Sequence, residues 1–459
     1  MNLVFIMIDT FRADNLGCYG NEDVKTPNID RLADESVVFT NCYAEGLPTI
    51  PVRRAVFTGK RTFPWVDWVP IRDMPWHVPG WQPLAQSDIV LTEILKSEGY
   101  RTGFISDTPH FFAPSMNFHR AFDSWQYIRG QGPDYKIPPP GERSYYRANV
   151  ADRRYEEDYF APRVFHEGIK WLEENQKHKK FYLYLDSFDT HEPWDPPAHY
   201  LAMYEKEAEL KENSLNETEK REKRLRALYW GEVTMVDKWV GLLIDKIRDL
   251  GLLDDTLVVF MADHGTSLGE HGLWHKPPDS IYEHLIKMPL IMRFPEKEYS
   301  GTCVDAFVQD HDLLPTLLDI LKIRRWAYLE EQVNGSDAFP LITRESEQIR
   351  NWIICGYEVY TCVRDYDWHY IISDQWEDPP VRFWRGRRLP RGEWLFDLND
   401  DPECENNIAD DYTDEARRMK DRLKNLLNEY GITDVPMNTY QKYPKKGFFA
   451  LSSKKPRTL

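Results

Sequence analysis

The chain has 459 residues, enough for one large domain or a large domain with a smaller companion. Hydrophobic residues make up 42% and aromatics 14%, which allows a substantial core and excludes a disordered chain. The net charge of −17 argues against nucleic acid and against an anionic membrane surface as partners, so positive potential must come from a metal or from a few placed Arg and Lys.

The first apolar run, Leu3–Ile8, has strand length, no basic lead-in and no small-residue cleavage site behind it, and reads as a strand rather than a secretion signal. No apolar stretch reaches the ~18 residues of a membrane span. Thr26-Pro27 opens a helix over Ile29–Leu32, with proline at the first helical position. Further strands are predicted at Val37–Tyr43, Thr102–Ser106, Phe181–Leu185, Thr256–Ala262 and Leu290–Phe294. Helical spacing recurs at Pro162–Asn175, Ala227–Leu250 and His311–Leu321. Short apolar runs between helices predict an α/β fold with a large, mostly parallel sheet.

The Pro-rich stretch Gln131–Arg143 reads as a surface loop, and the charged stretch Tyr204–Arg224 as a solvated helix or a lid-like insertion. Short aromatic strands follow at Trp352–Cys355, Tyr360–Arg364, Trp368–Ile372 and Trp394–Phe396, with a helix around Glu415–Tyr430. They predict a small antiparallel sheet closed by that helix. The expected division is a main α/β domain over 1–345, a C-terminal subdomain over 346–435 and a basic, aperiodic tail over 436–459. Six cysteines without a paired metal spacing suggest free buried thiols in a reducing compartment, hence a cytoplasmic protein.

Chemistry is expected where strands end, because open α/β sheets bind ligands outside the carboxyl ends of their strands. Asp9 ends the first strand, Asp186 ends the run from Phe181 with His191 close behind, and Asp263-His264 end the run from Thr256. Thr49 lies in a loop before a segment opening with Pro51. A single Asp after a strand most often caps a helix. Several carboxylates and an imidazole meeting at one sheet edge suit a divalent metal.

Thr49-Ile50-Pro51-Val52-Arg53 through Thr58-Gly59-Lys60 resembles the sulfatase signature, in which a Cys or Ser precedes Pro, Arg and Thr-Gly at this spacing. Asp9-Thr10-Phe11-Arg12, Asp189-Thr190-His191-Glu192-Pro193, Ala262-Asp263-His264-Gly265, His275-Lys276 and Leu395-Phe396-Asp397 through Asp401-Pro402 resemble other sulfatase segments, in order along the chain. The sequence is therefore similar to the sulfatase family of the alkaline phosphatase superfamily. That resemblance implies an alkaline-phosphatase-like sandwich acting on a small anionic ester. It assigns Asp9, Thr49, Asp263 and His264 to one divalent metal. Thr49 becomes the nucleophile, Arg53 the group steadying the alkoxide and the anion, His191 the group protonating the leaving oxygen, and Lys276 a charge on a non-bridging oxygen.

Three departures bear on substrate. Sulfatases oxidise their Cys or Ser to formylglycine, and Thr49 cannot give that aldehyde because its Cβ carries a methyl group. Thr10 stands where most sulfatases have a second Asp, and His264 where many have Asn, which moves the site from an oxygen-rich Ca²⁺ cage toward Mn²⁺ or Zn²⁺, with Ca²⁺ and Mg²⁺ as the alternatives. The sulfate-gripping lysine segment is replaced by Ser106-Asp107-Thr108-Pro109-His110, so Thr10, Asp107, Thr108 and His110 become candidate substrate-binding residues. Asp107 would repel a dianion. The expectation is a phosphodiesterase or phosphonate monoester hydrolase working through Thr49. The alternatives are a sulfatase using Thr49 directly, a phosphoryl or phosphoglycerol transferase, and an inactive anion-binding relative. A homo-oligomer is left open.

Overall fold

A computed structural model describes residues 1–432 apart from 67, 69–77, 113, 133, 135–144, 210–216, 324–326, 374–382 and 385–386. The tail over 436–459 and most of the Pro-rich loop Gln131–Arg143 lie outside the described residues.

The main sheet is built from apolar runs that can be buried on both faces. Its strand order is Thr302–Val304, Val37–Tyr43, Lys287–Arg293, Thr256–Ala262, Asn2–Ile8, Phe181–Ser187, Arg101–Ser106 and Ser124–Tyr127, with Val308–Gln309 also pairing with Val37–Tyr43. From Thr256–Ala262 to Ser124–Tyr127 all pairings are parallel, and Lys287–Arg293 runs antiparallel to both its neighbours. Asn2–Ile8 sits at the centre, and its side chains divide by parity. Leu3, Phe5 and Met7 enter one apolar core while Val4, Ile6 and Ile8 enter the other. Helices cover both faces, so this is the mixed α/β sandwich expected from the sequence.

The predicted strands agree with those observed to within a few residues. The helix predicted from Ala227 begins earlier, as Glu217–Asp249, because its first turns carry charged residues without an apolar period. The charged stretch before it is partly the helix Ala198–Glu209, whose Tyr204 is buried with its hydroxyl against Thr234 Oγ1, so this face is packed rather than wholly solvated.

A second sheet has the order Glu393–Asp397, Trp368–Ser373, Tyr360–Arg364, Ile353–Tyr357 and Gly46–Leu47, antiparallel except for the last pairing. Helix Thr413–Glu429 packs Met419, Leu423 and Leu427 against it in a third core with Phe63 and Trp65. The edge strand Gly46–Leu47 is drawn from the N-terminal part of the chain and leads directly into Thr49. All six cysteines are free, and they are not uniformly buried, since Cys303 is exposed and Cys18 half-buried. Among the described residues no helix is long and apolar enough to cross a membrane.

Candidate active site

The carboxyl ends of the three central strands deliver the acidic residues. Asp9 follows Ile8, and its N–H donates to Ser187 O at 2.8 Å. Asp263 follows Ala262, the register partner of Ile8, and its N–H donates to Ile8 O at 3.2 Å. His264 comes next in the chain. Ligand atoms of Asp9, Asp263 and His264 lie within 4.8 Å of one another, and all three residues are fully buried.

The bonding of this trio leaves atoms unused. His264 Nδ1 lies 2.8 Å from Gly265 O, which fixes N–H there and leaves the Nε2 lone pair pointing into the cluster with no hydrogen-bond partner. Asp9 Oδ2 accepts no hydrogen bond either, although Arg53 Nη1 lies 3.3 Å away. Burial and the neighbouring Asp263 push the Asp9 carboxyl above the usual carboxylate range. Burial holds the His264 imidazole down at about 4, so it is neutral and able to ligate. Orphaned buried atoms are rare and call for an explanation. A divalent ion held by Asp9, Asp263 and His264 fits this donor set, and the Gly265 carbonyl supplies the outer bond that orients a ligating imidazole.

Thr49 is the N-cap of helix Ile50–Thr58, which has Pro51 in its first turn and ends at Gly59 with φ 65°. Its hydroxyl makes no capping bond, and its backbone sits at φ 55°, costly for a β-branched residue. Thr10 is strained in the same way, at φ 59°. Strained positions of this kind persist where surrounding structure over-determines them, often at functional sites. Thr10 is committed to orienting the acids, since its N–H donates to Asp263 Oδ1 at 2.9 Å and its Oγ1 to Asp9 Oδ1 at 2.6 Å.

Arg53 is fully buried, and four of its five N–H groups meet acceptors within the protein. Nε and Nη2 grip Asp186 at 2.8 and 3.0 Å, Nη1 bonds Asp263, and Nη1 also reaches Thr49 O at 3.3 Å. It is the counter-ion of the acidic cluster and a brace on the Thr49 backbone. Its partner Asp186 also accepts Thr108 Oγ1 at 2.7 Å and Tyr184 Oη at 3.0 Å. Thr108 is thus part of the Arg53 support and not a group presented to a ligand.

Asp107 is turned away. Its Oδ1 accepts the Phe188 N–H and its Oδ2 the Gln131 amide, each at 2.7 Å. Burial, reinforced by Asp189, lifts its carboxyl well above the carboxylate range. The expected repulsion of a dianion by Asp107 therefore has no structural basis. His110 is a packing ring, with centroids 4.6 Å from Trp81 and 5.4 Å from Phe188, and burial lowers its pKa well below the ordinary value.

His191 also stacks on Phe188, with ring centroids 4.1 Å apart. Its Nδ1 lies 2.6 Å from Glu192 O, so Nδ1 carries the proton and Nε2 is the nitrogen left for proton transfer. Burial, then Lys276, pull its pKa down to about 4, so it is neutral near pH 7 and takes up a proton before it can give one. Lys276 Nζ donates to Glu192 Oε2 at 2.7 Å. In the sequence Asp186 was visible as a strand-end carboxylate and Glu192 as part of the His191 segment, but their pairing with Arg53 and Lys276 was not, and Gln131 carried no signal of its own.

Comparison with known proteins fits this geometry. A family model described as Sulfatase matches residues 1–323, well over half of the chain. The chain belongs to the sulfatase family. A second model, described as N-sulphoglucosamine sulphohydrolase, C-terminal, matches residues 269–430, which include four of the five strands of the small sheet and its helix. Among curated relatives, the N-acetylglucosamine-6-O-sulfatase of Bacteroides thetaiotaomicron is 23% identical over 94% of this chain and 87% of that protein. Among solved structures, a protein in complex with its substrate D-glucosamine-2-N,6-O-disulfate matches with a TM-score of 0.72 at 19% identity, covering 94% of this chain and 98% of the other. The phosphonate monoester hydrolase of Agrobacterium radiobacter matches with a TM-score of 0.69 at 20% identity, covering 93% and 95%. Members of the sulfatase family bind a divalent metal.

Proposed function

We propose that this sulfatase-family protein hydrolyses phosphate diesters or phosphonate monoesters through a covalent ester on Thr49. The observation that carries the reading is a threonine, in strained backbone at the head of a helix, with a hydroxyl unspent on capping, joined through Arg53 Nη1 to the buried Asp9–Asp263–His264 trio. A divalent ion there, Mn²⁺ or Zn²⁺ by its mixed oxygen and nitrogen donors, would lower the hydroxyl pKa of Thr49 and offset the charge of the ester.

The chain's own residues would then divide the work. Thr49 Oγ1 attacks the central atom and the bond to the leaving oxygen breaks, while the unpaired N–H groups at the start of the helix face the developing negative charge. His191, neutral with Nε2 available, takes up the proton released on attack and returns it to the leaving oxygen, so protons balance. Water must then cleave the Thr49 ester at the central atom. Lys276 neutralises one non-bridging oxygen. Arg53 fixes Thr49 and the two acids through its contacts with Thr49 O, Asp263 and Asp186.

A second reading, sulfate ester hydrolysis by the same steps, is supported by the family model and by relatives named as sulfatases. The two are separated by kcat/KM on matched aryl phosphate diesters, phosphonate monoesters, phosphate monoesters and sulfates with metal-reconstituted protein. Highest activity on diesters or phosphonates supports the first reading, and a wide margin for aryl sulfates replaces it with the second.

A further inference from the structure

With Asp107 turned away, a different carboxylate is left facing the reacting groups. Glu192 Oε2 is 2.7 Å from Lys276 Nζ and 3.5 Å from His191 Nδ1, and its Oε1 is 3.6 Å from His275 Nδ1. Burial opposes its ionisation, but Lys276, His191 and His275 outweigh burial and hold it well below the carboxylate range. It is therefore a full negative charge near pH 7. Its side chain keeps 13% exposure and that of Lys276 7%, so the pair borders the site rather than being sealed behind it.

We propose that Glu192 is a specificity-determining residue, a charge filter that favours esters bearing one negative charge over dianionic esters. This rests on the reading that Lys276 meets the ester's non-bridging oxygens. The single positive charge of Lys276 is already paired with Glu192 at 2.7 Å. A phosphate diester, phosphonate monoester or sulfate ester brings one negative charge to that pair. A phosphate monoester brings two, and must hold the second against Glu192 as well as against Asp9 and Asp263. Repulsion between unit charges ~5 Å apart, at an effective dielectric of ~20, exceeds a tenfold discrimination before solvent screens it.

The test compares phenyl phosphate, at a pH where it is fully dianionic, with its methyl ester, which carries one charge. Metal-loaded wild type, Glu192→Gln and Glu192→Asp are assayed for the ratio of kcat/KM between the two substrates, so that a general loss of activity cancels. Gln keeps the shape and a bond to Lys276 but not the charge, whereas Asp keeps the charge. The monoester-to-diester ratio should rise about tenfold or more in Glu192→Gln and stay within about twofold of wild type in Glu192→Asp. Calorimetric affinity for the same two esters in a Thr49→Ala background, with and without Glu192→Gln, should shift in the same direction without turnover. An unchanged ratio in Glu192→Gln, or an equal change in both variants, overturns the filter while leaving the Thr49 reading intact. If the wild type hydrolyses neither ester, or the Thr49→Ala protein binds neither, the underlying reading falls and takes the filter with it.

Discussion

Two buried charge clusters meet the helix Ile50–Thr58, and they are made of the same residue types. One holds Asp9, Asp263, His264, Arg53 and Asp186. The other holds Glu45, Asp310, His311, Asp312 and Arg350, against which the same helix packs. In the second cluster nearly every oxygen is spent. Glu45 accepts from the Thr62 and Phe63 N–H groups at 2.6 and 3.0 Å, and Asp312 accepts from Gln309 N at 2.8 Å, Ser336 N at 2.7 Å and Arg350 Nη2 at 2.6 Å. His311 Nε2 meets the Arg61 guanidinium at 3.1 Å, a cation where a metal would have to sit. The orphan left in the second cluster, His311 Nδ1, is an N–H because Nε2 accepts from Arg61, whereas the first cluster leaves the lone pairs of Asp9 Oδ2 and His264 Nε2 without hydrogen bonds, close to one another and to Asp263. Residue type does not distinguish a metal centre from a structural polar core. The unspent lone pairs do.

The widest separation between the two clusters should come from Asp263→Asn. It removes a proposed ligand and a counter-charge of Arg53, and should lower both retained metal and turnover, the latter by ~10³-fold or more. Elemental analysis and steady-state kinetics read both effects, and full metal retention would dissolve the contrast. Asp312→Asn strips one partner from a buried ion pair in the second cluster. It should cost about 3 kcal/mol of stability in denaturant melts while metal per chain stays at about one equivalent.

Acid sensitivity sharpens the comparison away from both clusters. Burial, with help from Arg364, depresses His369 to about 3, and burial, with help from Arg12, depresses His284 to about 4, against 6.5 for a free imidazole. In that window the unfolded chain binds the proton and the folded chain does not. Their contribution is thus complete above about pH 6.5 and is lost as pH falls toward the folded values, by about 1.4 kcal/mol per pH unit for each histidine. Metal-free protein should melt progressively lower from pH 6.5 to 4.5, and His369→Gln should flatten that slope. A slope that steepens or stays the same would show that His369 is not buried neutral. The smallest effect belongs to Asp107→Asn, whose carboxyl faces Phe188 N–H and Gln131. The monoester-to-diester ratio should move less than about twofold, and a larger change would return Asp107 to the site.

The sheet was legible because its strands are apolar on both faces and end in polar residues. Asn2–Ile8, Phe181–Ser187 and Thr256–Ala262 could hardly be anything else, and their ends placed Asp9, His191, Asp263 and His264 at one edge. What could not be read was orientation. Whether Asp107 faces a ligand depends on Gln131, in a Pro-rich stretch 24 residues away, and on the Phe188 amide, 81 residues away. The task of Arg53 depends on Asp186, 133 residues distant. Such contacts are set by how strands stack beside one another, and no local spacing encodes them. The small sheet was foreseen, but its edge strand Gly46–Leu47 was not, since two residues carry no period.

The central claim is that Thr49 itself forms the covalent ester. Metal-loaded protein mixed with an aryl phosphonate or diester, quenched within a turnover and digested, should carry the phosphoryl or phosphonyl mass on the peptide containing Thr49. Thr49→Ala should lose that adduct and several orders of magnitude of turnover while keeping its fold by circular dichroism. An adduct on another residue, or near-normal turnover in Thr49→Ala, would contradict the account.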